Sequence, residues 1–408
     1  PYAEALVTYL KRTRGVKDVV MAGSYQRGRE TVGDLDILVT TSGKTATMER
    51  FVGYDEVEEV LSKGTTRATV ILRNGLQVDL RVVAQQSFGA ALHYFTGSKS
   101  HNIQVRRIGQ QRGLKINEYG VFRGDKRVAG RTEGEVYAAV DLPFIAVELR
   151  ENHGEIEAAE EGRLPRLVEL DDICGDLHVH TTASDGKSSL REMALAAKKL
   201  GHEYLAITDH SRSAKVAGGL DEKQLLKQLE EIDKFNEELV GIRILKSSEV
   251  DILEDGRLDY PDSVLKELEL VVGAVHSKFG LSEIRQTERI IRAMHNRHFS
   301  ILAHPTGRLI GERPPYSIDL EKVLSAAKKC GCFLEINSHP ARLDLDDVHC
   351  RLARDMGVKI AVSTDAHSTG GLGNLRFGVD QARRGWLEAD HVLNTRSWTA
   401  LSELIARK

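Results

Sequence analysis

Apolar and polar positions change rhythm along this chain, and the changes mark its parts. In residues 2–11, Ala5, Leu6, Tyr9 and Leu10 recur at helical spacing. Residues 16–22 and 35–39 are short apolar runs of strand length. Residues 48–51 and 57–61 read as helix, and 69–72 with 76–83 predict an antiparallel hairpin turning at Asn74-Gly75. These elements predict a mixed sheet with helices, ending near residue 84. A second small unit, 85–150, opens on an apolar stretch at 90–95 and turns at Thr96-Gly97-Ser98. Residues 151–172 are rich in Glu, hold few large apolar residues before Leu164, and read as a linker, helical in part.

From residue 173 onward the pattern alternates. Strand-length runs at 176–180, 204–208, 242–250, 270–275, 300–303, 332–336 and 358–362 are separated by helical stretches such as 188–200, 225–239, 284–295 and 323–329. Strands alternating with helices predict a parallel, barrel-like sheet. The count is seven strands rather than eight. The fold class is therefore α/β and multidomain, with segments 1–84, 85–150, 151–172 and 173–408.

Composition narrows the class. The chain has 408 residues, 41% apolar and 29% charged, which describes ordinary globular domains. No apolar run approaches the ~20 residues of a membrane span, and no secretory leader precedes the first strand. The four cysteines form no CxxC pair and read as free thiols of a reducing cytoplasm, with a redox role for Cys330 and Cys332 the minor alternative. The chain opens without methionine inside a helical pattern and reads as a fragment. Its net charge of −3 hides an asymmetry: residues 1–150 hold 22 Lys/Arg against 17 Asp/Glu. Nine basic and two acidic residues lie between Lys99 and Arg131, a footprint suited to a phosphate backbone or to a solvated basic face.

Two constellations carry chemistry. Asp34 and Asp36 stand two residues apart at the mouth of a strand, so their carboxylates share a face. Two such like charges share a proton or bind cations. Asp79, on a strand that can lie beside the first, supplies a third acid, and three carboxylates around two metals suit in-line nucleotidyl transfer. Upstream, Gly23-Ser24 lets backbone amides approach an anion, and Arg27 offers a fork for phosphate. A lone Asp-x-Asp more often ends an ordinary turn; the surrounding pattern is what favours the site. In the second half His178, His180, Asp185, His210, Glu249, His276, His304, Asp365 and His367 fall at or just past the carboxyl ends of strands. Barrels of this kind build active sites on that face. Six imidazoles and three carboxylates can hold up to three borderline metals, Zn²⁺ or Mn²⁺ more readily than Mg²⁺. His202, His298, His339, His349 and His391 read as structural or surface residues, with His339 and Arg342 a weaker candidate pair for substrate.

With Gly23-Ser24, a basic spacer and Gly33-Asp34-Leu35-Asp36, followed by YFTGS and INEYG, residues 1–150 resemble the palm and thumb of family X DNA polymerases. HxH, TDH, E, VHS, AHP and STDAH resemble the PHP (polymerase and histidinol phosphatase) family. Together they resemble a bacterial or archaeal family X polymerase with a C-terminal PHP domain. The family's helix-hairpin-helix region has no counterpart in these residues. The resemblance implies a palm at 1–84, a small α+β thumb at 85–150 and a distorted seven-stranded (β/α) PHP barrel at 173–408. It implies Mg²⁺ or Mn²⁺ on Asp34, Asp36 and Asp79, with Asp79 beside the primer 3′-hydroxyl. Gly23, Ser24, Arg27 and Gly33 would serve the nucleotide, Tyr94 and Phe95 its sugar, Asn102 the minor-groove edge of the nascent pair, and Arg106 the template. In the barrel it implies one metal on His178, His180, Glu249 and Asp365, a second sharing Glu249 with His276 and His304, and a third on Asp185, His210 and His367. The implied function is gap-filling DNA synthesis with 3′→5′ trimming, acting on primer-template or gapped DNA and dNTP, as a cytoplasmic monomer. Two alternatives stand beside it. One is a small-molecule nucleotidyltransferase fused to a histidinol-phosphatase-like enzyme; the basic thumb and YFTGS speak against it. The other is a DNA-binding scaffold with a crippled polymerase.

Overall fold

Alternating burial along residues 34–41 sets the first unit. In the computed structural model, which describes residues 2–43 and 46–406, this segment is strand β2 (Asp34–Thr41). Leu35, Ile37 and Val39 bury against Leu6 and Leu10 of helix Tyr2–Lys11 and Phe51 of helix Thr47–Val52. Asp34, Asp36 and Leu38 take the opposite face, as the two-residue period requires. Leu38 packs with Ala91 of helix Phe88–Thr96, so that helix covers one end of the face and the acidic end stays open.

Around β2 stand β1 (Val16–Met21), β3 (Val57–Lys63), β4 (Arg67–Leu72) and β5 (Gln77–Val83), in the order β1-β2-β5-β4-β3. β2 and β5 pair in parallel and the other neighbours antiparallel. The β4–β5 hairpin turns where Asn74-Gly75 predicts it. Residues 57–61 correct the sequence reading: they lie in edge strand β3, not in a helix. Val57, Val60 and Leu61 mimic helical spacing, yet β3 breaks register with β4 twice, between Val57 and Glu59 and between Val60 and Ser62. Such bulges displace the two-residue alternation that reveals a strand.

Helix Lys99–Gln111, capped by the Ser98 hydroxyl accepting from the His101 amide, precedes a three-stranded sheet of β6 (Lys115–Asn117), β7 (Gly120–Arg123) and β8 (Lys126–Ala129). The Glu-rich stretch then returns to this unit. Glu155, at the start of helix Glu155–Glu160, is fully buried; its carboxylate contacts His101 Nδ1 at 2.7 Å and accepts from the amides of Asn152 and His153. The chain divides into compact units at 1–164 and 165–408.

The second unit is a seven-stranded sheet whose strands adjoin in chain order and run parallel: β9 (Gly175–Val179), β10 (Tyr204–Ile207), β11 (Arg243–Asp251), β12 (Leu270–Ala274), β13 (Ile301–Leu302), β14 (Phe333–Asn337) and β15 (Ile360–Ser363). A bridge between Val179 and Ala366, with the His180 amide donating to the Ala366 carbonyl, nearly closes it into a barrel. Helices including Leu190–Lys199, Glu222–Glu238, Glu283–Met294 and Leu320–Cys330 bury Met193, Leu229, Ile290 and Val323 against it. Asn394 donates to the Gly175 carbonyl and Leu401 of the last helix, Trp398–Ala406, joins the inner core, covering the amino ends of the strands. The carboxyl ends stay open. Among the described residues, no helix is long and apolar enough to cross a membrane.

Candidate active sites

In the first unit the parallel register sets Asp36 opposite Asp79 and Asp34 opposite Gln77. Asp34 is exposed and Asp36 half-buried. Burial, with the neighbouring charges of Asp34 and Asp79, pushes the Asp36 carboxyl up to about 6. Asp79 differs. Burial raises it, but Thr69 Oγ1 (2.7 Å), Gln77 Nε2 (2.8 Å) and Arg67 Nη2 (3.2 Å) donate to it, and together they hold it below the usual range.

Gly23, Ser24, Arg27, Asp34, Asp36, Tyr94, Phe95, Asn102 and Arg106 line one cleft of about 410 Å³. Gly23 has φ +68°, and a Cβ there would stand 2.5 Å from Asp36 Oδ2, so only glycine fits the turn. Arg27 is buried, with Nε on Glu151 Oε1 at 3.0 Å and Nη1 on the Thr96 carbonyl; the fork assigned to phosphate is already engaged. Arg81 lies over the Phe95 ring at 4.4 Å, and Tyr94 meets that ring edge-on. Asn102 Nδ2 donates to the Tyr94 carbonyl at 2.8 Å, and Arg106 Nε to the Asn102 carbonyl at 3.3 Å. Gly33 is exposed just before β2, outside the cleft lining.

In the second unit the open end of the barrel gathers the imidazoles and acids. Three groups place ligand atoms within 4.8 Å of one another: His180, Asp185, His210 and His367; His178, His180 and Asp365; and His210, Glu249 and His276. His304 Nε2 joins Glu249 Oε1 at 2.8 Å. The His180 ring stacks with those of His210 and His367, at 4.5 and 4.2 Å. Asp365 and His304 hold positive φ, +53° and +27°, strain that the surrounding structure sustains at such sites.

The charges are mutually arranged. Burial raises Glu249, yet His276, His210 and His178 outweigh it and hold the carboxyl well down. Burial opposes protonation of His210 and His276, yet Glu249 with Asp185 or Asp251 pushes them up to about 10 and about 9. Buried His304 is driven down to about 4, with Arg342 adding to the effect. Buried nitrogens of His178, His180, His210 and His304 have no hydrogen-bond partner within the protein; His210 Nδ1 is 2.9 Å from Glu249 but out of line. Orphaned ring nitrogens among carboxylates are a donor set that fits Zn²⁺ or Mn²⁺.

The groups that orient these side chains carry no motif in the sequence. Glu335 is fully buried in β14, with Oε1 2.7 Å from His178 Nδ1, and Oε2 accepts from the His304 amide at 2.7 Å. Asp251 lies 3.3 Å from His276 Nδ1. Asp209 accepts from the Thr181 amide and hydroxyl, Ser184 Oγ and Gln228 Nε2, pinning the turn that carries Asp185. The available signals were an acid inside the apolar run of β14 and a second acid two residues beyond Glu249.

Comparison with known proteins follows the same division. Residues 3–109 match the DNA polymerase beta palm, 91–151 the DNA polymerase beta thumb and 176–339 the PHP domain. The chain is 43% identical over 390 residues to the DNA polymerase/3′-5′ exonuclease PolX of Bacillus subtilis (strain 168), covering 95% of this chain and 68% of that protein. Its second half is 36% identical to a "Probable phosphatase" of Thermoanaerobacter sp. (strain X514), over 54% of this chain and 89% of that one. A "Probable phosphatase" of Acetivibrio thermocellus is 32% identical over 57% of this chain and 95% of its own length. A polymerase-beta palm and thumb, a PHP barrel and this identity across nearly the whole chain place it in the family X DNA polymerases that carry a PHP domain.

Proposed function

We propose that the chain is a DNA polymerase of the gap-filling repair type, whose PHP barrel degrades DNA from the 3′ end. The observation that carries this is the presence, in one chain, of two separate cation-fitting centres, one of carboxylates beside a glycine turn and one rich in imidazole. Domain limits of 1–84, 85–150, 151–172 and 173–408 accompany the reading.

Asp34, Asp36 and Asp79 would hold Mg²⁺ or Mn²⁺. His178, His180, Glu249 and Asp365, then Glu249 with His276 and His304, then Asp185, His210 and His367 would hold three Zn²⁺ or Mn²⁺. When bound, such ions neutralise phosphate oxygens and acidify an attacking oxygen. The protein's own contribution is placement. Gly23 and Ser24 leave room for the triphosphate at their backbone, Arg27 braces that turn from Glu151, and Tyr94 and Phe95 wall the sugar. Asn102 reaches the minor-groove edge and Arg106 the template. In the barrel, Glu335 turns the His178 ring so that Nε2 faces the cluster. Primer-template or gapped DNA and dNTP are the partners. The protein acts as a monomer, and its four free cysteines suit a reducing cytoplasm.

Asp34→Ala and Asp36→Ala are each expected to abolish primer extension and to spare 3′-end degradation. Loss of both activities in either variant would refute separate centres. The likeness to probable phosphatases favours a second reading of the barrel, removal of a terminal phosphate. Oligonucleotides ending in a 3′-phosphate or a 3′-hydroxyl, assayed with Mn²⁺, separate the two.

A further inference from the structure

The barrel's cleft, about 630 Å³, is larger than a bound phosphate requires, and residues 213–217 of a short loop, 211–219, form part of its wall while belonging to none of the metal-fitting groups. The loop is clamped at its base. Buried Asp259 accepts from Arg212 Nε at 3.2 Å and from the Ser213 amide and hydroxyl, both at 2.7 Å. At the far end Tyr260 OH donates to the Leu220 carbonyl at 2.7 Å, and Ser211 bridges to Leu220. Glycine is required at Gly219, where a Cβ would run into the Ser211 carbonyl. A loop tied at both ends presents its tip rigidly. That tip is Lys215 and Val216; both are exposed, Val216 completely, and both line the cleft.

The charges around the cleft make Lys215 distinct. Lys278 is paired with Glu254 at 3.3 Å, and Arg285 also takes Glu254, at 3.2 Å. Arg342 lies 3.4 Å from Asp365. Among the described lining residues, Lys215 is the one Lys or Arg with no anionic partner. An unpaired ammonium beside a fully exposed aliphatic side chain offers a phosphate contact next to an apolar contact. Successive units of a nucleic-acid strand present that pair of features, and a small phosphomonoester does not.

Resting on the nuclease reading above, we propose that Lys215 and Val216 are specificity-determining residues for that reaction. Lys215 takes a phosphate of the strand that is not cleaved, and Val216 lies against the flanking base, so the loop selects a DNA end over small phosphate esters.

The test uses the full chain with Mn²⁺ and two substrates, a single-stranded oligonucleotide with a 3′-hydroxyl and bis(p-nitrophenyl) phosphate. Lys215→Ala is expected to lower the ratio of kcat/KM for oligonucleotide over small ester by about tenfold, the scale of one lost charge-assisted contact. The slope of log kcat/KM against log salt for the oligonucleotide should shrink by about 0.7, the counterion release of one single-strand phosphate. Val216→Gly should lower the same ratio with the salt slope kept. An unchanged ratio in both variants, or a parallel fall on both substrates, overturns the proposal. A wild-type chain that hydrolyses the ester and leaves the oligonucleotide intact overturns instead the nuclease reading on which it rests.

Discussion

The two clusters gather groups that suit cations by opposite means. The palm offers three carboxylates, one exposed, one half-buried and one tied down by three donors. It is sparse, as suits an ion that keeps its waters and takes substrate phosphates as ligands. The barrel offers a dense, buried set in which imidazoles and acids already touch and several ring nitrogens make no aligned hydrogen bond. That set suits ions held by the protein before substrate arrives. The difference teaches that two cation-fitting clusters in one chain can differ in burial and in ligand type rather than in the number of acids, which is three in each.

The comparison can be broken at four points. His178→Ala should cost the most, lowering Mn²⁺-dependent 3′-end degradation by about 10³-fold while extension persists, because the ion set loses a buried ligand. Extension and degradation assays on one preparation check it. Glu335→Gln comes next. The amide that replaces the carboxylate cannot accept at both His178 Nδ1 and the His304 amide, so metal affinity should fall about 10- to 100-fold, the usual cost of a lost orienting partner. Elemental analysis after dialysis against Mn²⁺ or Zn²⁺ reads this without an activity assay, and full occupancy would contradict it.

Gly23→Ala forces a positive φ on alanine and a methyl onto Asp36, costing about 1 to 2 kcal/mol locally. Weaker extension and a lower Tm are expected, with degradation per folded molecule unaltered. The smallest effect is that of pH on the palm. Asp36 titrates at about 6, raised by burial and its acidic neighbours, so below that value a cation must displace a proton. The Mg²⁺ concentration for half-maximal extension should rise about fourfold from pH 7 to 5.5, as one competing proton dictates. A flat profile would mean that Asp36 binds no ion.

Much of this arrangement was legible in the sequence because its signals are local. Asp34 and Asp36 declare their shared face by spacing alone, and seven apolar runs, six of them carrying His, Asp or Glu at or just past their ends, declare a parallel sheet with one functional end. The missed parts depend on contacts between distant residues. Glu335 meets His178 across 157 positions and Arg27 meets Glu151 across 124, which periodicity does not encode. Edge strand β3 was misread for another reason: with its faces largely exposed and two bulges along it, no buried row of side chains marks it as a strand.

The candidate cation-binding side chains of the barrel span the whole unit, from His178 in its first strand to Asp365 and His367 beyond β15. Synthesis must therefore run past β15 before the full set can assemble. The palm carboxylates Asp34, Asp36 and Asp79, by contrast, all precede the end of β5 and are on the chain well before the barrel begins.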